Sequence, residues 1–241
     1  MVHKEIAIEG TVKYATFKNR PNRFLVNLIP DGRSNSEKAF LHDPGRMKEL
    51  LTDNVRLLIR KPLNPENRKT KWDILAVEHK GRLVTINSSL PNRVAKTALM
   101  NYWIQELAEF DYVKSEISYG KSRLDFLLEK NKLKCYVEVK GVTLVKNKIA
   151  LFPDAPTSRG VRHVNELIEI VAMGYKGVIL FICMRDDPIG FAPNNETDPT
   201  FSKTLQTADK EGVEILVYKV KPIIKNQQLI LQFKDKIKVN K

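Results

Sequence analysis

Short stretches of alternating hydrophobic and polar residues dominate the first third of the chain, the period of half-buried β-strands. EIAIEGTVKYATF, RFLVNLI, EKAFLH, VRLLIRK, KWDILAVE and RLVTI follow one another from Glu5 to about Arg82. Turn chemistry separates them at Pro21-Asn22, Pro30-Asp31-Gly32, Pro44-Gly45 and Asn64-Pro65. Between the third and fourth strands, PGRMKELL predicts one short helix.

From about residue 90 the period changes. LPNRVAKTALMNYWIQELAEF predicts a helix capped by Asn92, with Val94, Leu99, Trp103, Ile104 and Leu107 as its apolar stripe. YVKSEISYG and the hairpin SRLDFLLEKNKLKCYVEVKG follow, then a second hairpin, VTLVKNKIALF, turning at Lys146-Asn147. TSRGVRHVNELIEIVAMGYKG predicts an amphipathic helix capped by Thr157 or Ser158 and stopped at Gly174, burying Val161, Val164, Leu167, Ile168 and Val171. The apolar run KGVILFICM predicts a buried strand whose end delivers Arg185, Asp186 and Asp187. A polar loop, a helix near Phe201 to Lys210 and the core strand GVEILVYKV complete an alternation of strands and helices.

The fold expected is therefore α+β, or α/β in its second half. Five or so strands with an intervening helix resemble an OB-fold barrel over residues 1–86, followed by an α/β domain with a mixed central sheet over residues 87–241.

The hairpin carries the chemistry. With Asn131-Lys132 as a two-residue loop, residues whose numbers sum to 263 lie opposite each other, so Asp125 faces Glu138. Tyr136, Glu138 and Lys140 share that face, while Cys135, Val137 and Val139 point the other way. Opposed carboxylates repel, and a divalent cation removes the conflict. Mg²⁺ or Mn²⁺ held by Asp125, Glu138 and the Val139 carbonyl would bind a phosphate oxygen and acidify an attacking water, which Lys140 would orient. A D…E-x-K pattern with free spacing arises by chance about once in a chain this long, so the tripeptide alone is most often an exposed strand face. The aliphatic flanks LDFLL and CYVEV weigh against that reading, since charges on an interior strand need a reason.

Charge points to the partner. The 241 residues hold 41 Lys and Arg against 28 Asp and Glu, a net charge of +13, which favours a polyanion such as DNA. From Lys121 to His163 ten basic residues surround four acids, and the Lys219–Lys241 tail carries seven lysines against Asp235. That tail reads first as a solvated strand pair. Arg123, Arg159, Arg162 and His163 are candidate phosphate contacts, the last three in the first turns of a helix whose N-terminus favours anions. Gly160 is costly there unless something approaches closely. In the barrel, Lys13, Tyr14, Phe17, Arg20, Arg23, Lys69, Lys71 and Trp72 are candidates for single-stranded nucleic acid, the rings serving alternatively as barrel core.

Other classes recede. No stretch approaches the ~18 apolar residues of a membrane span, and MVHKEIAIEG lacks the apolar core of a secretory signal, so a soluble cytoplasmic protein without membrane contact is expected. Cys135 and Cys183 sit in apolar runs and read as buried thiols, and with four scattered histidines they make no zinc cluster. No small-molecule cofactor is indicated.

The strings SEISYGKSRLDF, CYVEVKGVTL, FPDAPTSRGVRHVNEL and GVEILVYK, in order between about Phe24 and Tyr218, resemble the sugar fermentation stimulation protein A family. The resemblance implies an OB-fold domain followed by a PD-(D/E)xK nuclease-like domain, and DNA binding. It implies that Asp125, Glu138 and Lys140 are the nuclease-motif residues and that Glu116 is the preceding acid of the metal site. Asp154, Arg159 and His163 match the family's block after the core motif, and Asn92 and Arg93 match its L-P-N-R segment, expected to join the domains at the cleft. One departure is visible: where relatives tend to read H-C-P-N-T-G-x-M, this chain has His42-Asp43-Pro44-Gly45-Arg46-Met47, which puts a ligand contact from that loop in doubt.

The expectation is thus a divalent-metal-dependent DNA nuclease, with Arg185 and Asp187 in support. A non-catalytic DNA-binding regulator of sugar-utilisation genes that keeps the nuclease fold is the alternative, and an RNA-binding protein a third. The residues indicate no strand preference, target or oligomeric state.

Overall fold

In the computed structural model, residues 4–66, 68–120 and 122–240 are described; Lys121 and Lys241, counted above among the basic residues, lie outside them. The chain divides into two compact units. The first comprises residues 1–90, 184–186 and 220–232, and the second comprises 91–183, 187–219 and 233–241.

In chain order the strands and helices begin with β1 (Glu5–Ile8), β2 (Val12–Asn19), β3 (Leu25–Pro30), β4 (Glu37–Leu41), β5 (Arg56–Arg60), β6 (Trp72–His79) and β7 (Arg82–Thr85). There follow α1 (Leu90–Met100), β8 (Tyr112–Tyr119), β9 (Ser122–Lys130), β10 (Leu133–Val142), β11 (Val145–Lys146), β12 (Ile149–Phe152) and α2 (Ser158–Ala172). The chain closes with β13 (Lys176–Cys183), β14 (Gly190–Pro193), α3 (Pro199–Lys210), β15 (Glu214–Lys225), β16 (Gln228–Lys236) and β17 (Lys238–Val239).

The first unit is a closed five-stranded barrel. Strands run β4-β3-β2-β5-β6, and a parallel pairing of β4 with β6 shuts the ring, Ala39 opposite Trp72 and Leu41 opposite Ile74. Ala15, Phe17, Val26, Leu28, Ala39, Leu41, Leu57, Ile59 and Ile74 fill it by period-2 alternation. This is the OB topology expected.

Two expectations about this unit need correction. The stretch EIAIEGTVKYATF is not one strand: it breaks at Gly10, whose φ of +94° suits glycine, and β1 pairs with β16 rather than with the barrel. PGRMKELL is no helix. Leu50 and Leu51 both donate to the Met47 carbonyl, closing a single turn that buries Met47 and Leu50 under the barrel. Eight residues opened by Pro-Gly are too few to nucleate a helix without other support.

In the second unit β15, β13 and β10 are parallel and β10, β9 and β8 antiparallel, giving the mixed sheet β15-β13-β10-β9-β8. Helices α2 and α3 cover one face through Val164, Leu167, Ile170, Phe201 and Leu205, against Ile179, Phe181 and Val217. Thr157 caps α2, its hydroxyl accepting from the Gly160 N–H at 3.0 Å. A Cβ at Gly160 would stand 2.8 Å from the Thr157 side chain and 3.2 Å from the Phe201 ring, so the close approach expected there is made by the helix cap and by α3.

The first helix ends at Met100, short of the predicted run, and Gln105–Leu107 form a separate 3-10 turn. The second hairpin turns one residue later than expected. Lys146 pairs with Ile149, leaving Asn147 and Lys148 as the loop with φ of 50° and 63°. The basic tail is half-buried rather than merely solvated, since Leu229 and Leu231 are fully buried.

Glycine 141 lets α1 reach the sheet: a Cβ there would fall 2.6 Å from the Pro91 ring. Gly141→Ala is expected to cost about 1–3 kcal/mol through overpacking, measured by urea unfolding; an unchanged midpoint would show that Pro91 yields freely.

Candidate metal and phosphodiester site

Hairpin arithmetic holds as far as Phe126. Leu133 lies opposite Lys130 and Val137 opposite Phe126, but the β9–β10 ladder stops there. Asp125 does not continue the pairing with Glu138. Its Oδ2 accepts the Val139 N–H at 2.8 Å, taking the place of a ladder carbonyl. In an extended strand a residue's N–H and C=O address the same neighbour, so the Val139 carbonyl faces the Asp125 side as well.

The strand alternation also shifts at this point. Ser122 accepts from Arg162 Nε at 3.0 Å and Leu124 joins the α2-side core, so both lie on that face. Leu127 pairs with Tyr136, which packs against the same core. The odd step from 124 to 127 places Asp125 at an irregularity. In β8 it is matched by Glu116, whose φ is +59° and which is skipped between the pairs Ser115–Phe126 and Ile117–Leu124.

Glu138 is the buried centre, with 2% exposure. Its Oε1 accepts from Lys140 Nζ at 2.5 Å and meets His163 Nδ1 in a short contact. Arg159 Nε donates to His163 Nε2 at 3.4 Å, which makes that nitrogen an acceptor and places the ring proton on Nδ1, aimed at Glu138. Two donors thus share one carboxylate oxygen. The other, Oε2, is buried and has no hydrogen-bond partner among the described residues.

Asp125 is braced from the opposite side. Asn92 Nδ2 donates to its Oδ1 at 2.6 Å. Asn92 was expected to cap α1; instead it stands third in the helix, behind Pro91, and its amide orients the acid. Proline favours the first helical position, and that preference was the available signal that the next residue lies inside the helix with its side chain spare.

Environment drives the two carboxylates apart. Burial and the charge of Glu138 push the Asp125 carboxyl up, only partly offset by the Val139 N–H and Asn92. Burial also works against ionised Glu138, but the hydrogen bonds of His163 and Lys140 outweigh it and hold that carboxyl below its ordinary value.

These donors fit a hard, oxygen-seeking cation. Mg²⁺ takes one or two carboxylates and keeps several waters, so Asp125, Glu138 and the Val139 carbonyl are the groups that could hold it. Glu116 does not join them. It is exposed and pairs with Arg123 at 3.5 Å, and among the described residues no three His, Cys, Asp or Glu side chains converge as metal ligands.

Other candidates divide clearly. His163, expected to contact phosphate together with Arg159 and Arg162, is buried, as is Glu166 one turn further along α2. Arg93, Arg123, Asp154, Arg159 and Arg162 are exposed. Arg185 is buried at 5% exposure, unsuited to phosphate from solvent, and Asp187 is half-buried.

In the barrel, Trp72 is core, 4% exposed, with Nε1 donating to Glu37 Oε2 at 2.5 Å. Lys71 lies 3.6 Å from the same Glu37 carboxylate. Arg20 is spent on main-chain carbonyls: Nη1 donates to Gly45 at 2.6 Å and Arg46 at 2.9 Å, Nη2 to Arg23 at 2.6 Å and Asp43 at 2.9 Å. It is a loop brace, not a phosphate contact. Arg23 remains exposed.

No helix among the described residues is long and apolar enough to cross a membrane. Residues 19–86 match the family model described as the SfsA N-terminal OB domain, and residues 89–226 match the sugar fermentation stimulation protein RE domain. A sugar fermentation stimulation protein homolog of Alkaliphilus metalliredigens is 44% identical over 218 residues, covering 89% of this chain and 92% of its own. A homolog of the same name from Moorella thermoacetica is 43% identical, covering 85% and 88%. A solved structure of Pyrococcus furiosus SfsA in complex with Ca²⁺ is similar over 100% of both chains, with a TM-score of 0.88 and 25% identity.

The raised Asp125 carboxyl has a thermodynamic sign. A folded-state pKa above the unfolded one means that the native state prefers the protonated acid, so stability falls as pH rises through the folded value. In metal-free buffer at pH 7, Asp125→Asn is expected to raise Tm, and the gain should vanish near pH 3. Differential scanning calorimetry in EDTA at both pH values checks this; a lowered Tm at pH 7 would contradict it.

Proposed function

This chain belongs to the sugar fermentation stimulation protein family, and from that premise we propose that it is a divalent-metal-dependent DNA nuclease hydrolysing phosphodiester bonds. The observation that carries the reading is the pair Asp125 and Glu138, set apart in acidity beside Lys140, with Glu138 Oε2 buried and without a partner among the described residues. A fully apolar sheet interior would serve a scaffold at least as well, since buried charges are costly unless they are paired. The Ca²⁺ named for the similar Pyrococcus furiosus structure supports a cation site in this fold.

Each residue has a role that follows from its position. Asp125 and Glu138 Oε2, with the Val139 carbonyl, would hold Mg²⁺ or Mn²⁺; when bound, the ion lowers the pKa of an attacking water and polarises a phosphate oxygen. Lys140, anchored on Glu138 Oε1 with two further ammonium donors to spare, would orient the water and stabilise charge on the phosphorane-like transition state. Asn92 and His163 fix the two acids in place. Arg123, Arg159, Arg162 and Arg93 would attract the phosphate backbone.

Labelled single-stranded, double-stranded and branched DNA, incubated with wild-type and Asp125→Ala protein in Mg²⁺, Mn²⁺ or EDTA, provides the test. Cutting is expected with metal only, falling at least ~100-fold in the variant while DNA binding persists. Salt-sensitive binding with no cutting across all conditions would instead establish the non-catalytic DNA-binding reading.

The raised Asp125 carboxyl also sets a pH limb. Cation binding requires the ionised acid, so metal-dependent cleavage is expected to fall on the acid side at a pH above the ordinary aspartate range. A pH profile that stays flat through that region would contradict it.

A further inference from the structure

The barrel carries rings on its outer surface as well as its inner one. Along β4, Ala39 and Leu41 point into the core, so Phe40 between them points out. Phe24, at the end of the loop from β2 to β3, is 46% exposed and lies nearly parallel to Phe40, ring centroids 6.0 Å apart at 17°. His42 meets the Phe40 edge at 4.4 Å, and the Arg68 guanidinium lies over the Phe40 ring at 5.4 Å. An outward aromatic pair topped by guanidinium has no role in filling the barrel.

The patch is rigid. The Phe24 carbonyl accepts from the Leu41 N–H at 2.9 Å, and its own N–H donates to Asn22 Oδ1 at 2.9 Å. Arg20 ties its loop to that of residues 43–46 through the carbonyls of Asp43, Gly45 and Arg46. Beneath the rings Asp73, 2% exposed, holds Arg68 at 2.7 Å and lies 3.8 Å from Arg60 and 3.7 Å from His42. One carboxylate against two guanidinium groups leaves the patch positive. Its elements are the first barrel loop, the third barrel strand and, through Arg68, the loop between the last two barrel strands, the part of an OB barrel suited to oligonucleotides.

We propose that Phe24 and Phe40, with Arg68, form a stacking platform for unpaired bases of single-stranded DNA. Flat rings fixed in advance give stacking energy at little entropic cost, and the guanidinium plane adds attraction to base and phosphate alike. Duplex DNA, whose bases are already stacked, gains nothing from the rings. The inference rests on the DNA-nuclease reading and gives it a substrate class: DNA with a single-stranded stretch.

Fluorescence anisotropy with labelled dT12, U12 and a 12-base-pair duplex, in EDTA and at fixed salt, tests it on the intact chain. Phe24→Ala is chosen because its ring is half exposed; Phe24→Tyr keeps a ring there and is the conservative control. Stacking on one ring corresponds to about a 5- to 100-fold change in Kd. The expected result is that Phe24→Ala weakens dT12 by that factor, Phe24→Tyr does not, and duplex binding is unchanged. Equal loss for dT12 and duplex, no loss at all, or tighter binding of U12 than dT12 would overturn the platform. Wild-type protein that binds none of the three would defeat the nuclease reading itself, whereas intact binding with an indifferent Phe24→Ala would defeat only the platform.

Discussion

A carboxyl buried in a sheet must either stay protonated or gain donors for the water it loses, and the donors that Glu138 gains organise the second unit. Desolvating an ion costs several kcal/mol unless donors replace the lost water. Lys140 supplies one donor from two residues along the same strand, and His163 must come from α2. Helix α2 therefore has to dock at one rotation and one height. The Thr157 cap and the close packing of Gly160 on Phe201 fix both, because either a frayed first turn or a bulkier residue at 160 would move His163 off its target. Both donors go to Oε1, and the asymmetry leaves Oε2 without a partner among the described residues. A buried oxygen without a partner is a standing cost that folding alone does not require.

The neighbouring acid meets the opposite fate. Asp125 occupies the one place where the hairpin ladder gives way, and its side chain replaces a backbone acceptor. A carboxylate used in this way is held in position by the main chain itself, with Asn92 closing the other side. Its ionisation is nevertheless resisted, by burial and by the charge of Glu138. Two carboxylates with environments that drive their acidities apart mark a site arranged for more than cohesion.

Local pattern made the barrel strands, α2, α3 and the β9–β10 loop legible, because each depends on periodicity and turn residues near in sequence. It failed where a distant neighbour decides the outcome. PGRMKELL has helical spacing, but the barrel takes Met47 and Leu50 as a plug and only one turn is needed. His163 and Glu166 share a helical face with Arg159 and Arg162 on a wheel, yet the first two are buried and the two arginines exposed. Among the barrel rings, basic and aromatic composition directed attention to Trp72, while strand parity, which puts Trp72 inside and Phe40 outside, was the stronger signal. Arg20 shows the same limit for charge: a guanidinium that looks available by composition is consumed by four carbonyls.

The tension between Asp125 and Glu138 also bears on how a cation would bind under the nuclease reading. Burial and the charge of Glu138 make Asp125 reluctant to ionise, and Glu138 Oε2 has no partner among the described residues. A divalent ion would relieve both conditions at once, so its binding is linked to loss of a proton from Asp125 wherever that acid is still partly protonated. The same linkage separates affinity from rigidity. His163, Lys140 and Asn92 already hold the acids, so under that reading little rearrangement would be needed on binding.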